Sequence, residues 1–117
     1  MRYLFVIRRA PYDGLRAIET LDLLLTVVAF DQTVEVVFVD DGVWQLCRNQ
    51  RPQALAQRDV AAMWQTLEVY GIDPPWVENE SLCERRIKAS DLVLPVRSLP
   101  RARLAGLMRE YDRVLGD

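Results

Sequence analysis

Two short, almost unbroken apolar runs constrain this chain more than anything else in it. Residues 3–7 read Tyr-Leu-Phe-Val-Ile and residues 34–39 read Val-Glu-Val-Val-Phe-Val. Both are too short for a helix, and the second is dominated by β-branched and aromatic side chains. Runs of this kind make strands covered on both faces, the situation of a strand in a parallel sheet between layers of helices. Each run is followed by turn-forming residues and then by an apolar pattern of helical period. Strand-like and helix-like segments alternate to the end, with no repeat, linker or low-complexity tract. The pattern reads as one α/β domain over residues 1–117: three layers, a mostly parallel sheet with helices on both faces. A chain of 117 residues suits a single core that needs no disulfide or metal.

The first strand runs into a polar loop over residues 8–14. A helix follows over about 15–29, starting at Asp13 or Gly14, with Ile18, Leu21, Leu25 and Val28 on one stripe and Ala17 and Leu24 widening it. Asp40-Asp41-Gly42 stops the second strand, residues 43–47 begin a short helix, and residues 48–52 read as an exposed loop. Asp59 is placed to cap a central helix that buries Val60, Met63, Trp64, Leu67 and Tyr70, and Gly71 to close it in a left-handed conformation. Residues 76–78 form a third strand. Ser81-Leu82-Cys83-Glu84 reads as a capping box, with Ser81 as the cap. Residues 92–94 read as a fourth strand. The last helix starts near Pro100, buries Leu104, Leu107, Met108, Tyr111 and Leu115, and stops at Gly116.

The chain has no histidine and two cysteines. That excludes a Ser/His/Asp or Cys/His arrangement, an H-E-x-x-H zinc site and an imidazole base within this chain. Two cysteines cannot make a four-cysteine zinc site, and their separation is not that of a C-x-x-C motif. No metal or cofactor site is expected: Gly14 and Gly42 stand alone, without either phosphate-cradling glycine pattern. Carboxylate chemistry, lone-thiol chemistry or no chemistry remain. Asp40-Asp41, at the carboxyl end of a strand, reads as a strand-ending turn that also caps the next helix; as a functional pair it would bind magnesium or act as acid and base.

Cys47, among apolar neighbours, reads as packing. Cys83 is the candidate reactive thiol: at the second position of a capped helix, beside Arg85 and Arg86, a thiolate would be stabilised and could accept a sulfane sulfur as a persulfide. Trp44, Trp64 and Trp76 read as core or interface anchors. Of the fifteen basic residues only Lys88 is a lysine, and residues 85–113 are rich in arginine. They read as a solvated helix face or as protein-interface contacts. A net charge of −2 is not that of a nucleic-acid binder. The first apolar run is too short for a signal peptide, and no run reaches the length of a membrane span. The expected location is cytoplasmic, with both cysteines reduced.

Taken in order, Ala10-Pro11 with Gly14, Leu21-Asp22-Leu23-Leu24-Leu25, Val37-Phe38-Val39-Asp40-Asp41-Gly42-Val43-Trp44-Gln45-Leu46, Gln50-Arg51-Pro52, Arg58-Asp59, Tyr70-Gly71-Ile72, Trp76-Val77 and Ser81-Leu82-Cys83-Glu84-Arg85 resemble the DsrE/DsrF-like family, nearest its TusC/DsrF branch. The resemblance implies a subunit of a sulfur-relay complex. It implies TusB-like and TusD-like partners in a heterohexamer, sulfur arriving indirectly from a sulfur-carrier protein, and delivery towards 2-thiolation of the tRNA wobble uridine. In the DsrF branch the equivalent complex serves sulfur oxidation. In the family the sulfur-carrying cysteine belongs to the TusD/DsrE-type subunit, directly after the third strand; this chain has Glu78 there. The expectation is therefore a non-catalytic, structural subunit, against the alternative of a persulfide carrier using Cys83.

Overall fold

In the computed structural model, which describes residues 1–10, 16–48 and 60–116, the two apolar runs lie side by side as β1 (Arg2–Ile7) and β2 (Thr33–Phe38). They pair in parallel along their full length, from Arg2 opposite Thr33 to Ile7 opposite Phe38. β3 (Trp76–Glu78) pairs with β2, β4 (Arg97–Leu99) with β3, and β5 (Arg113–Gly116) with the other side of β1. Every pairing is parallel and the strand order is β4-β3-β2-β1-β5. The three-layer α/β sheet read from the sequence is the one observed. No helix among the described residues is long and apolar enough to cross a membrane.

The connections are helical. α1 (Arg16–Ala29) joins β1 to β2. A 3₁₀ helix (Asp40–Leu46), α2 (Val60–Trp64) and a 3₁₀ turn (Gln65–Tyr70) lie between β2 and β3. α3 (Asn79–Glu84) leads towards β4, and a 3₁₀ turn (Arg101–Arg103) followed by α4 (Leu104–Met108) leads to β5. Three successive connections step the same way across the sheet, so right-handed crossovers put them on one face, while the last steps back and falls on the other. Strand side chains alternate between these faces. Phe5, Ile7, Val36 and Phe38 enter a large core with Leu21, Leu24, Val43, Leu46, Trp64 and Leu67. Leu4, Val6, Val37 and Val39 enter a smaller one with Leu99 and Leu107, against which Leu104, Met108 and Tyr111 pack.

The 3₁₀ helix after β2 abuts the end of β1 so closely that a Cβ on Gly42 would lie 2.0 Å from the Ile7 carbonyl oxygen. Gly71 closes the 3₁₀ turn at φ +75°, as its position in the sequence implies.

Three expectations are corrected. Residues 92–94 are not a strand: Leu92 makes an isolated antiparallel bridge with Cys47, and Val93 N–H donates to the Leu46 carbonyl, so this backbone is satisfied outside the sheet. The fourth strand is β4, beyond Pro95. The last helix does not run to Leu115. It ends at Met108 because the open edge of β1 takes the chain: Asp112 exchanges hydrogen bonds with the Arg2 backbone, and β5 follows. Tyr70 is half exposed rather than core. The expected features at Pro11, Asp13, Gly14, residues 49–52, Arg58 and Asp59 lie outside the described residues.

Glu35 is the one charged side chain in the β2 run. It points into the smaller layer, where Arg97 Nη2 donates to Oε1 at 2.6 Å and the Tyr111 hydroxyl to Oε2 at 2.6 Å, with Arg2 Nη2 3.5 Å from Oε2. Arg97 stacks on Trp76 at 4.2 Å and Arg2 on Tyr111 at 4.7 Å. Burial raises the Glu35 pKa, but the Tyr111 hydrogen bond, Arg97 and Arg2 together outweigh it, and the net shift is downward. A carboxyl with a depressed folded pKa lends stability above its ordinary value of about 4.3 and loses it as pH falls through the folded pKa. Glu35→Gln should therefore lower stability at pH 7 and flatten the loss of stability below about pH 4, as read from urea unfolding midpoints across the acid range.

Candidate functional site

In a parallel α/β sheet the loops beyond the carboxyl ends of the strands gather the functional groups. Here that edge brings together the ends of β1, β2 and β3 and the turn after β4. Asp40, two residues past the end of β2, sits at φ +50°, and its N–H donates to Ser81 Oγ at 2.8 Å. Ser81 donates in turn to Glu78 Oε1 at 2.5 Å. Arg101 Nε and Nη2 donate to the same oxygen at 3.1 and 3.0 Å, and Nη2 also reaches Glu84 Oε1 at 2.8 Å. The Arg101 N–H donates to Glu80 Oε1. Glu78 is the last residue of β3, with its side chain 3% exposed, and Ser81 is fully buried. A carboxylate buried to this degree requires a cation and hydrogen bonds, and this network supplies both. The Arg101 hydrogen bond draws the Glu84 carboxyl below its ordinary pKa.

The acidic pair is engaged by arginine. Arg8 lies 3.6 Å from Asp40, and Arg85 lies 3.0 Å from Asp41 while also donating to the Ser81 carbonyl. Asp40 and Asp41 open the 3₁₀ helix without a side-chain capping bond, so of the two roles read for the pair only the strand-ending turn is seen. Both carboxylates face guanidinium groups, an arrangement that favours ion pairing over magnesium ligation. Among the described residues no group of three or more Cys, Asp or Glu side chains could hold a metal ion.

The two thiols differ in kind. Cys47 is buried, its Sγ is 3.8 Å from the Val43 carbonyl, and burial together with the nearby Asp91 charge pushes its pKa up to about 11. Cys83 is exposed, but its helical setting is not the one read from the sequence. α3 begins at Asn79 with Glu78 flanking it, so Cys83 is the fifth of six residues, near the C-terminal end. The capping-box reading fails because the Ser81 hydroxyl turns back to the Glu78 carboxylate instead of capping the turn ahead. The N-terminal dipole argument for a Cys83 thiolate fails with it.

Trp64 is fully buried against Phe38, edge to face at 5.0 Å, and its indole N–H donates to Gln45 Oε1 at 2.8 Å. Gln45, also fully buried, donates to the Arg9 carbonyl and so ties the loop after β1 to α2. Gln45, Ser81 and Arg101 went unrecognised as network members in the sequence. The available signal was one polar residue in each of two apolar segments: Gln45 in residues 43–47 and Glu78 at the end of the third strand.

A model of the DsrE/DsrF-like family matches residues 1–116. A protein TusC homolog of Pseudomonas aeruginosa is 38% identical over 112 residues, which cover 96% of this chain and 94% of that protein. The intracellular sulfur oxidation protein DsrF of Allochromatium vinosum is 32% identical over 127 residues, covering 97% of this chain and 93% of its own. Among solved structures, the ychN protein from E. coli has the same fold, with a TM-score of 0.80 over 100% of both chains at 19% identity.

Two outcomes follow from the geometry. Ser81→Ala leaves the Asp40 N–H and the Glu78 carboxylate each short of a partner and should cost about 1–3 kcal/mol in urea unfolding. A thiol reagent should titrate Cys83 in the native protein and Cys47 only after denaturation, because an exposed thiol is accessible and a buried one with a raised pKa is inert.

Proposed function

The chain belongs to the DsrE/DsrF-like family, whose TusC-homolog and DsrF members make it a sulfur-relay subunit, and from that premise we propose that its share of the relay is structural rather than catalytic. The observation that supports this is Glu78. The resemblance places the family's sulfur-carrying cysteine directly after the third strand, and this chain ends that strand on a buried carboxylate held by Ser81 and Arg101. The Ser81 hydroxyl and the Arg101 guanidinium, the groups that would stabilise a thiolate or persulfide at this place, are already taken by that carboxylate. Cys83 lies five residues further on, outside that network.

In this reading the chain assembles with TusB-like and TusD-like subunits as a cytoplasmic heterohexamer. The complex receives persulfide sulfur from a cysteine desulfurase by way of a carrier protein, the TusD-like subunit carries it, and the relay passes it on towards 2-thiolation of the tRNA wobble uridine. This chain supplies surface and no transferable sulfur. The exposure of Cys83 supports the rival reading, in which the thiol accepts persulfide itself. A complex reconstituted with the Cys47→Ser/Cys83→Ser double variant decides between them: it should assemble in the same stoichiometry as wild type and thiolate tRNA at the same rate. Thiolation lost with assembly intact would mean that this chain carries sulfur.

A further inference from the structure

Because every strand pairing is parallel, the segments that lead into strands gather at one edge of the sheet, opposite the Glu78 network. Residues 71–75 lead into β3 and residues 94–96 into β4. Between them lies a pocket of about 400 Å³, walled by Pro74, Pro75, Leu94 and Pro95 and bordered by Glu68 and Asp73.

This pocket offers acceptors above all. Its three prolines have no N–H to give. The Gly71 and Ile72 N–H groups are spent on the Glu68 and Leu67 carbonyls, and the Gln65 amide nitrogen donates to the Val93 carbonyl at 3.0 Å. The Glu68 and Asp73 carboxylates are exposed and make no side-chain hydrogen bond or ion pair among the described residues. No described arginine or lysine lines the pocket, and Arg97, whose Nε donates to the Pro74 carbonyl, is committed to Glu35. Carboxylates beside proline and leucine side chains suit a guanidinium or ammonium on an apolar stem, which buries its methylenes while its charge is paired.

The rim of the pocket is apolar. Val69 and Tyr70, between Glu68 and Gly71 in the chain, are 83% and 50% exposed. They end the 3₁₀ turn Gln65–Tyr70, of which only Leu67 is buried. Large side chains exposed beside a pocket are covered by a protein surface, whereas a small cation would leave them in water. A two-fold contact with a second copy, centred here, would set Glu68 and Asp73 against the same carboxylates and repel.

We propose that this edge is a contact surface for a different subunit of the relay complex, which seats an arginine or lysine side chain against Glu68 and Asp73 and covers Val69 and Tyr70. The proposal rests on the reading of this chain as a relay subunit and adds to it the edge by which the chain is held, away from Glu78. A buried aromatic and a desolvated charge pair give such a contact its strength, and the carboxylates select its partner.

Carboxyl footprinting with a water-soluble carbodiimide and glycine ethyl ester, read by peptide mass spectrometry, tests this on the chain alone and in the complex co-expressed with TusB-like and TusD-like subunits. Glu68 and Asp73 should label in the isolated chain and be protected in the complex. Glu68→Lys/Asp73→Lys should weaken assembly by about tenfold or more, with the far-ultraviolet circular dichroism of wild type, since neither carboxylate holds a described part of the fold. A complex that forms with both carboxylates still labelled, or that the charge reversal leaves intact, would overturn this contact and leave the relay reading standing. A wild-type chain that assembles with neither partner would overturn both. Protection that appears in the chain alone as its concentration rises, or on adding free arginine, would overturn the proposal in favour of a second copy or a small cation.

Discussion

The carboxylate of Glu78 is the constraint on which this end of the molecule depends. An ionised group with its side chain 3% exposed cannot be left alone in a protein interior. Its needs fix the Ser81 hydroxyl at one side and the Arg101 guanidinium at the other. Ser81 in turn holds the Asp40 N–H, and with it the left-handed turn that ends β2. Arg101 draws the segment after β4 back over the sheet. The ends of three strands are thereby joined through two oxygen atoms, Ser81 Oγ and Glu78 Oε1. The same demand closes the end of β3 with a buried carboxylate, where thiol chemistry would require an open, cation-stabilised site.

A second buried glutamate lies at the other end of the sheet. Glu35 is held by Arg97, as Glu78 is held by Arg101, and both arginines come from the short stretch of β4 and the turn that follows it. The arginine bias of residues 85–113 therefore has two explanations. Arg85, Arg97 and Arg101 neutralise acids of this chain, and the bidentate guanidinium suits them to it. Arg103 and Arg109 look outward along the thinly covered face. The sheet is bracketed by ion pairs at both ends.

The larger architecture was legible because strand period and burial agree in β1 and β2: the runs over residues 3–7 and 34–39 admit one interpretation, and Gly71 marks its turn by the same backbone rule that places it there. The misreadings share a cause. Residues 92–94 have strand-like composition, and residues 109–115 continue a helical stripe, but in each case hydrogen bonds to a distant segment decide the outcome: Leu46 and Cys47 for the former, Arg2 for the latter. β4, with Arg-Ser-Leu, has no local signal and is a strand only because β3 is beside it. At the site, Glu78 could be read as occupying the cysteine position, whereas the partners that make its burial tolerable are 3 and 23 residues away. Ser81 looked like a cap because a serine three residues before a glutamate satisfies the capping pattern, while the carboxylate behind it was the stronger acceptor.

The claim that Glu78 closes this subunit to sulfur chemistry is tested most directly by intact-mass analysis of the separated subunits after the reconstituted complex is loaded from a persulfide donor. The account predicts one added sulfur atom on the TusD-like chain and an unchanged mass for this one. A wild-type chain that gains a sulfur atom, with the gain abolished by Cys83→Ala, would contradict it.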